Sequence, residues 1–367
     1  MKILIVTDFS HPSVCGVWNR AYNDAKYLVS RGHDVHIFSS DIIKGSNDRS
    51  GIYEEYEGIK IHRFKAKRLS ENILFWKFKK EFLELNPDIV HAHNYRHPCT
   101  HLALKYSKLI NKPCYLTTHA PFVSKEIRGW FKTFLADRYD KQFKNELNEF
   151  TKVITISKWE EPFLLDLGLN QDKIVYIPNS IPGDIFREKV WSQRTTPRVL
   201  FLGRVDPIKN IECLIRAVEN IEELEVSIVG PYNNGYCEKL RWMLVERGMS
   251  HRVKFLGPVF DKDKKIELFN THDVFVLPSF REAMPQSLIE AMAAGLVVIS
   301  SKTDGGKELV RHGENGYLFE INNNRELASL LKNYKSNDIV TKNAMEFAKQ
   351  FNEDLIGDKL LGLYGKN

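Results

Sequence analysis

The stretch that decides the fold is VFVLPSFREAMPQSLIEAMAAGLVVISSKTDGGKE, residues 274–308. It opens with a short apolar run typical of a buried parallel strand, and Val297–Ile299 predicts a second strand of the same kind. Between them, Ser287–Ala294 predicts a helix that ends at Gly295, and Gly305-Gly306 predicts a tight turn. This strand–helix–strand order predicts a parallel α/β sheet.

Two carboxylates stand at one end of this unit, Glu282 in the loop and Glu290 on the helix. The helix would turn Leu288 and Met292 toward the sheet and Glu290 toward the carboxyl edge of the strands, where open α/β sheets bind ligands. The helix N-terminus beside them favours a phosphate group. The alternative is that both acids are solvated surface side chains, as most glutamates are.

The rest of the chain repeats the alternation of strands and helices in two blocks. In the first block, a helix of about four turns begins near Gly16 and ends at Gly32. The rhythm restarts after a polar stretch, residues 187–197, which we interpret as a linker, and a last helical pattern covers residues 351–364. Two parallel, doubly wound sheets are therefore predicted. The predicted strands outside the opening stretch are Ile3–Val6, Val35–Phe38, Ile89–His93, Tyr115–Thr118, Val153–Ile156, Val199–Leu202, Val226–Val229 and Val253–Leu256.

Length and cysteine usage bound the class of protein. A chain of 367 residues can form two ordinary domains with real cores. Its five scattered cysteines include no C-x-x-C pair, which favours a reducing compartment over a disulfide framework or a zinc site. The chain begins directly with a strand pattern, and no apolar run approaches the length of a membrane span. We therefore expect a cytoplasmic protein.

The net charge of +6 is concentrated in residues 60–80, where eight basic residues face Glu71 alone and three aromatic residues lie among them. Such a stretch suits the surface of an anionic membrane, and we expect a peripheral contact there. The alternative is a solvated helix with one stripe facing the core. Nucleic acid is disfavoured as a partner because no recognition motif accompanies the charge.

The string R-E-x-x-P-x-S-L-x-E-A-M-A-A-G, from Arg281 to Gly295, resembles the nucleotide-sugar motif of the retaining glycosyltransferases of family four. The resemblance implies the GT-B fold, in which two Rossmann-like domains with doubly wound parallel sheets face each other across a cleft. Residues 1–186 would form the acceptor-binding domain, with residues 351–367 crossing back to it as the last helix. Residues 187–350 would bind the nucleotide sugar.

Two cations follow the strand that opens the second block. Gly203-Arg204 comes directly after that strand, and Lys209 stands just before the next helix. Arg can hold a phosphate through two parallel hydrogen bonds, and Lys adds a mobile point charge. The alternative is a pair of ordinary surface cations. The family's G-R-x-x-x-x-K pattern implies that these residues hold the donor's pyrophosphate and stabilise the leaving group.

The resemblance also assigns the rest of the donor site. It implies that Glu290 accepts hydrogen bonds from the ribose hydroxyls and that Glu282 lies near the transferred sugar. The family usually has Gly after the first acid, where Ala283 stands here, which is tolerable unless the position needs a positive φ. Backbone groups that meet the sugar, the phosphates and the nucleobase would come from Met284, Pro285, Gln286, Val259 and Phe260. Main-chain contacts to the base leave the nucleotide open, with UDP or GDP expected.

Two residues of the first block complete the resemblance. His119 follows a strand directly, and the family places the matching histidine beside the anomeric carbon. A lone histidine is more often structural, but a position at the carboxyl end of a strand favours a site. Gly16 would allow the backbone to approach the diphosphate, although Cys15 replaces the first glycine of the family's usual pair. Asn179, in IPNSIP, we interpret as part of a hinge between the domains.

Two patterns suggest a metal, and we favour neither. His97 and His101 have the spacing of helical metal ligands, but no acidic or cysteine ligand accompanies them in a recognised motif. Asp261-Lys262-Asp263 spells a metal-binding string of another glycosyltransferase fold, and we interpret it as a charged turn. The resemblance implies no metal and no cofactor, because Arg204, Lys209 and a helix dipole would supply the positive charge.

We therefore expect a retaining, metal-independent hexosyltransferase that uses a nucleotide-diphosphate sugar and a lipid-linked or cell-envelope glycan as acceptor. The first alternative is a sugar-nucleotide 2-epimerase of the same fold. For the acceptor, the alternative is a soluble small molecule. A Rossmann oxidoreductase is disfavoured because no G-x-G-x-x-G follows the first strand. A non-catalytic subunit is disfavoured because both acids and both cations are intact.

Overall fold

The computed structural model describes residues 1–13, 15–46, 48–69, 73–122, 130–186, 197–259, 261–334 and 338–365. It divides into two compact units, one of residues 1–180 with 353–367 and the other of residues 181–352. The division falls within IPNSIP, the segment interpreted as a hinge, whereas the predicted linker lies almost wholly outside the described residues.

The first unit is built on a sheet whose central strands are buried from both faces. Within the described residues its order is β10-β9-β8-β7-β1-β2-β4-β3, and every neighbouring pair is parallel except β3 with β4. Separate apolar clusters cover the sheet, which explains why the strands read as continuous apolar runs. The strands of the unit are β1 (Lys2–Val6), β2 (Asp34–Ser40), β3 (Tyr53–Tyr56), β4 (Ile59–Phe64), β5 (Lys67–Arg68), β6 (Leu74–Phe75), β7 (Ile89–His93), β8 (Cys114–Thr117), β9 (Lys152–Thr155) and β10 (Ile174–Tyr176). Of these, β5 and β6 pair with each other in a separate antiparallel hairpin.

The last helix of the chain belongs to this unit, as the resemblance implied. Its residues Ile356, Leu360 and Tyr364 are buried in the apolar cluster formed with the first helix, and the Tyr364 hydroxyl lies 2.7 Å from His91 Nδ1. The described helices of the unit are α1 (Gly16–Ser30), α2 (Lys79–Leu85), α3 (Pro98–Leu109), α4 (Trp130–Leu147), α5 (Glu161–Asp166) and, at the end of the chain, α13 (Glu353–Tyr364).

The second unit has the strand order of a dinucleotide-binding fold. Its described strands are parallel and follow the order β13-β12-β11-β14-β15-β16, which is the 3-2-1-4-5-6 arrangement. The order reverses between β11 and β14, and the carboxyl ends of strands at such a point form a ligand-binding crevice. The strands are β11 (Arg198–Leu202), β12 (Glu225–Val229), β13 (Val253–Gly257), β14 (Val274–Leu277), β15 (Val297–Ser301) and β16 (Tyr317–Phe319).

The predicted tight turn at Gly305-Gly306 is wrong, because both residues lie inside a short helix capped by Thr303. Glycine is required there for close packing: a Cβ on Gly305 would lie 2.5 Å from the Ala283 carbonyl oxygen. The described helices of the second unit are α6 (Ile211–Val218), α7 (Asn234–Glu246), α8 (Lys262–Thr271), α9 (Gln286–Ala293), α10 (Asp304–Leu309), α11 (Asn324–Lys332) and α12 (Asp338–Ala348).

The described part of the basic stretch, residues 60–69 and 73–80, contains most of β4, all of β5 and β6, and only the first two residues of α2. The alternative of a solvated helix is therefore wrong for this part. Its side chains alternate: Leu74, Trp76 and Phe78 are buried, whereas Phe75 and Lys77 are exposed. This period of two is the pattern of a segment with one face on the core. Among the described residues, no helix combines the length and apolar character that crossing a bilayer requires.

Candidate functional site

The predicted donor residues of the second unit lie in loops at the carboxyl edge of its sheet and on α9, the helix that follows one of these loops. The loop after β11 and the loop after β14 are joined by a main-chain hydrogen bond of 2.8 Å from Phe280 N to the Ile208 carbonyl. The turn after β12 packs against the first of these loops so closely that a Cβ on Gly230 would lie 1.9 Å from the Gly203 carbonyl oxygen. The backbone therefore fixes these loops relative to one another.

Lys209 and Glu282 meet between these two loops. The Lys209 ammonium donates to Glu282 Oε1 at 2.6 Å, and the Ser279 hydroxyl donates to the same oxygen at 2.6 Å. The Glu282 side chain is only 9 % exposed, so its charge depends on these partners. The alternative that this acid is solvated is excluded.

Glu290 forms a second pair of the same kind. It lies on α9, and its Oε1 accepts from the Lys265 ammonium of α8 at 2.6 Å. Its side chain is 8 % exposed, which excludes a solvated surface position for this acid also. Lys265 was not among the predicted residues, and its place within the charged run Lys262–Lys265 gives it no distinctive signal.

The other predicted donor residues lie around these pairs. Arg204 follows Gly203 at the end of β11, with a half-exposed side chain 3.7 Å from Asp206 Oδ2. Met284 and Pro285 are buried before α9, which begins at Gln286. Val259 is half-buried in the loop after β13, and Phe260 lies outside the described residues.

In the first unit, His119 and its neighbour Ala120 lie just beyond β8, after Thr118. Both have left-handed backbone conformations, with φ of 59° and 49°. Non-glycine residues in this region cost about 1–3 kcal/mol each and cluster at functional sites. His119 Nε2 lies 2.9 Å from His93 Nδ1, at the end of β7, so the two imidazoles share one hydrogen bond.

A buried carboxylate holds this strained segment in place. Glu160 is fully buried and accepts from the Thr118 hydroxyl, from Ala120 N at 2.8 Å and from Ile156 N at 2.9 Å. Glu160 was not among the predicted residues, although Ser157-x-x-Glu160 is a capping-box pattern.

Burial sets the protonation of these groups. It lowers the pKa of His119 and that of His93 well below their ordinary value, so both imidazoles are neutral near pH 7. Burial also raises the pKa of Glu160 to about 7. A neutral His119 can donate or accept a single proton at a ring nitrogen, but it brings no fixed positive charge.

A second pair marks the reversal point of the first sheet, between β1 and β7. Asp8 is fully buried and accepts from His97 Nδ1, while Trp76 Nε1 lies 3.4 Å from its other oxygen. Asp8 was not among the predicted residues, because a single acid after an apolar strand carries no spacing signal. Gly16 begins α1 in the same unit, with open space where a Cβ would lie.

The histidines with helical metal-ligand spacing do not converge in the structure. His97 binds Asp8, whereas His101 Nδ1 lies 2.5 Å from Glu146 Oε2. A different trio, Asp24, His91 and His93, brings ligand atoms within 4.8 Å. The Arg20 guanidinium binds Asp24 at 2.7 Å, and its charge opposes a cation there.

Asp261 of the D-x-D string caps α8, accepting from Lys264 N at 2.8 Å, so a helix begins where a charged turn was expected. A carboxylate engaged in a cap keeps only part of its capacity for other ligands.

Two family models match the chain. The model described as "Glycosyl transferases group 1" matches residues 184–352, and the model described as "Glycosyltransferase Family 4" matches residues 14–184. Together they span nearly all of both units.

Similar proteins agree with these models. A glycosyltransferase of Methanocaldococcus jannaschii, described as uncharacterized, is 25% identical over 382 residues, covering 95% of this chain and 94% of that protein. The N,N'-diacetylbacillosaminyl-diphospho-undecaprenol alpha-1,3-N-acetylgalactosaminyltransferase of Campylobacter jejuni is 23% identical over 377 residues, covering 93% and 98%.

Solved structures share the fold over the whole chain. Sucrose-phosphate synthase from Thermosynechococcus elongatus superposes with a TM-score of 0.79 at 20% identity, covering 100% of this chain and 98% of that one. HepE of Anabaena in complex with UDP-glucose has a TM-score of 0.78 at 19% identity, with 100% of both chains covered. The chain therefore belongs to the family-four glycosyltransferases and has the GT-B fold.

Proposed function

We propose that the protein is a retaining, metal-independent glycosyltransferase that moves a hexose-type sugar from a UDP- or GDP-linked donor to a lipid-linked or cell-envelope glycan. The observation that carries this proposal is the Lys209–Glu282 pair of 2.6 Å, between the two loops that flank the reversal point of the second sheet. It joins a cation suited to a diphosphate with an acid suited to sugar hydroxyls.

The chemistry requires charge stabilisation on both sides of the breaking bond. As the bond between sugar and diphosphate breaks, negative charge develops on the departing diphosphate and positive charge on the sugar ring. Arg204 and Lys209 would stabilise the diphosphate, and Glu282 would lie beside the sugar. In this proposal Glu290 holds the ribose hydroxyls, and its buried position beside Lys265 fixes the carboxylate for that contact.

His119 would contact the sugar at the reacting carbon in its neutral form. Its strained backbone and its hydrogen bond to His93 support a fixed orientation of the ring. A neutral imidazole is suited to hydrogen bonding with a hydroxyl without opposing the positive charge that develops on the sugar.

The nature of both substrates is proposed from relatives and from charge. HepE was solved with UDP-glucose, which favours a UDP-linked donor, and the Campylobacter relative is named for an undecaprenol-linked acceptor. Lys65, Lys67 and Lys77 are exposed, and they support a peripheral contact between the basic stretch and an anionic membrane. A soluble acceptor has no such use for them.

The test is a screen for hydrolysis of UDP-, GDP- and ADP-linked sugars, with and without a divalent-metal chelator. We expect one nucleotide class to be hydrolysed at the same rate in both conditions. The Arg204→Ala and Lys209→Ala variants should each lose about 100-fold or more in rate, as the removal of one charge-stabilising donor typically does.

The matched controls are Arg325→Ala and Lys332→Ala, which remove the same charges from exposed positions on α11. Wild-type rates in both site variants would refute the proposed diphosphate contact. An epimerised nucleotide sugar formed from donor alone would favour the 2-epimerase instead, and an inverted anomer in the transfer product would refute retention.

A further inference from the structure

We propose that an apolar pocket in the first unit binds the prenyl chain and the adjoining phosphate of the lipid-linked acceptor. This inference rests on the proposed function and identifies the chemical class of its acceptor. The pocket, which we call the α3 pocket, has a volume of about 400 Å³ and is lined chiefly by Phe75, Pro98, His101, Leu102, Tyr139 and Phe143. That volume falls in the range of small-molecule sites, roughly 300–1,000 Å³.

The pocket lies at the start of α3, which follows the carboxyl end of β7. The first turn of this helix contributes Pro98, His101 and Leu102, so the positive end of its dipole adjoins the pocket. Phe75 of the β5–β6 hairpin and Phe143 of α4 form the apolar walls opposite. The pocket therefore combines a hydrocarbon surface with an end that favours an anion.

Two polar atoms in the pocket wall indicate a ligand that is not purely hydrocarbon. His101 Nε2 and the Tyr139 hydroxyl are buried and have no hydrogen-bond partner among the described residues. Buried polar groups in native proteins nearly always have partners, so an exception calls for an explanation. A phosphate oxygen would accept from the Tyr139 hydroxyl. Because His101 Nδ1 donates to Glu146, its Nε2 is an acceptor, and a hydroxyl of the bound acceptor would donate to it.

Exposed cations stand beside the apolar wall. Lys67 pairs directly with Phe75 across the hairpin, and opposite residues of a strand pair project from the same face. Lys77 Nζ lies 6.0 Å from the centre of the Phe75 ring. Neither lysine forms an ion pair with any described residue, so both are available to an anionic partner.

This combination favours one occupant. A prenyl-linked acceptor has a hydrocarbon chain for the apolar walls, a phosphate for the helix terminus, the Tyr139 hydroxyl and the lysines, and glycan hydroxyls for His101 Nε2. A bulk phospholipid supplies the charge and the hydrocarbon chain but no glycan to accept the transferred sugar. A second copy of this protein supplies no single molecule that joins a hydrocarbon chain to an anionic group. The acceptor of the proposed reaction meets every requirement.

The experiment compares farnesyl diphosphate with its shorter homologue dimethylallyl diphosphate and with inorganic diphosphate, by calorimetric titration. Each buried methylene adds about fourfold in affinity. We expect farnesyl diphosphate to bind about 60-fold or more tightly than dimethylallyl diphosphate, which corresponds to three buried methylenes. Equal affinities for the two prenyl compounds would overturn the proposal.

Substitutions in α3 test whether the prenyl chain of the ligand lies in the α3 pocket. Leu102→Trp fills the α3 pocket and should abolish the preference for the longer chain. Leu109→Trp, at an exposed position on the same helix, is the matched control and should retain it. The second unit is also proposed to bind a diphosphate, through Lys209. If the prenyl chain binds in the α3 pocket, the preference for farnesyl diphosphate should persist in Lys209→Ala. If Leu102→Trp still prefers the longer prenyl compound, the prenyl chain binds elsewhere and its assignment to the α3 pocket is refuted.

Charge reversal tests the cations with vesicles of phosphatidylcholine and phosphatidylglycerol. Each lysine near an anionic surface contributes about fivefold in binding, so the Lys67→Glu, Lys77→Glu double variant should lose about 25-fold or more. The matched control reverses Lys332 and Lys342, exposed residues of the second unit, and should bind as wild type. Equal losses in both double variants would refute a localised patch.

The outcomes separate this inference from the proposed function. If the protein prefers farnesyl diphosphate over dimethylallyl diphosphate but hydrolyses no nucleotide sugar, the glycosyltransferase proposal is refuted and the α3 pocket remains a lipid site. Hydrolysis without a chain preference would refute the pocket and favour a soluble acceptor. Self-association that Leu102→Trp abolishes, seen by light scattering without any chain preference, would assign the pocket to a second copy.

Discussion

The two buried acids of the motif each have a lysine partner. One of these lysines was predicted from the sequence and the other was not. The spacing of Glu282 and Glu290 is visible in the string itself, and so is the cation Lys209. The contact of Lys265 with Glu290 depends on how α8 packs against α9, which no local spacing encodes. The same reason explains why Asp8 was missed. Glu160 has a local capping-box signal, but its contacts with Thr118 and Ala120 depend on how the chain folds.

Replacement of Glu290 should weaken donor binding with little change in folding. If this carboxylate accepts from ribose hydroxyls, Glu290→Ala removes hydrogen bonds to a charged group, worth about 1.5–3 kcal/mol each. We expect the affinity for the hydrolysed nucleotide to fall about 10- to 100-fold by calorimetric titration. Glu267→Ala, at an exposed position on α8, is the control, and an unchanged affinity in Glu290→Ala would remove the ribose assignment.

The neutral histidines predict how stability depends on pH. Burial lowers the pKa of His93 and of His119 in the folded protein. Below about pH 6.5 the unfolded chain therefore binds more protons than the folded protein, and the free energy of unfolding falls as the pH falls. Each such histidine contributes up to about 1.4 kcal/mol per pH unit in that range.

The His93→Asn variant tests this dependence by urea denaturation between pH 8 and pH 5. Because asparagine does not titrate, we expect the variant to lose less stability than wild type as the pH falls below 6.5. His251→Asn, at an exposed position, should follow the wild-type curve. A His93→Asn slope as steep as that of wild type would contradict the role of burial.

At the scale of elements, the apolar runs of the parallel strands made the fold predictable from the sequence. The central strands β1, β7, β11 and β14 were predicted within a residue or two, because burial from both faces gives each a continuous apolar run. The edge pair β3–β4 and the β5–β6 hairpin were missed, because their alternating and charged residues lack such a run. The error at Gly305-Gly306 arose because close packing selects glycine just as a turn does.

The packing of α10 against the loop before α9 gives a prediction of its own. In Gly305→Ala the new Cβ would lie 2.5 Å from the Ala283 carbonyl oxygen and 2.9 Å from that of Glu282, so the loop must move. We expect a loss of about 1–3 kcal/mol in stability, by urea denaturation, together with weaker donor binding.

The control for this substitution is Gly235→Ala, where the nearest atom to the new Cβ is 3.8 Å away. It introduces the same methyl group into the start of another helix of the same unit. We expect it to leave stability and donor affinity close to wild type. Donor affinity that is intact in Gly305→Ala would show that the loop carrying Glu282 tolerates displacement.

At the scale of the whole molecule, the chain forms two units of similar construction, and the resemblance predicted that the last helix would return to the first. Local pattern alone predicts only that residues 351–364 are helical, since its apolar positions do not specify their partners. The division within IPNSIP lies several residues before the predicted boundary, because a change in composition marks a loop and not the limit of packing.

Deletion of residues 353–367 should destabilise the first unit selectively. It removes Ile356, Leu360 and Tyr364 from the core, each worth about 1.5–3 kcal/mol. We expect faster hydrogen exchange in peptides of β1 and β7 and unchanged exchange in peptides of β14 and β15, measured by mass spectrometry. Deletion of residues 365–367 alone is the control, and equal acceleration in both units would contradict the assignment of α13 to the first.

The position of α13 also bears on how the protein is made. A ribosome that adds about 5–20 residues per second releases residues 1–180 roughly 10–35 s before α13 emerges. Throughout that interval the apolar residues of α1 that pack against α13 remain exposed. Residues 181–352 can already complete their own core as they leave the exit tunnel. The unit that is synthesised first therefore completes its folding last. A chaperone that binds nascent chains would have to protect this unit for longer than the other.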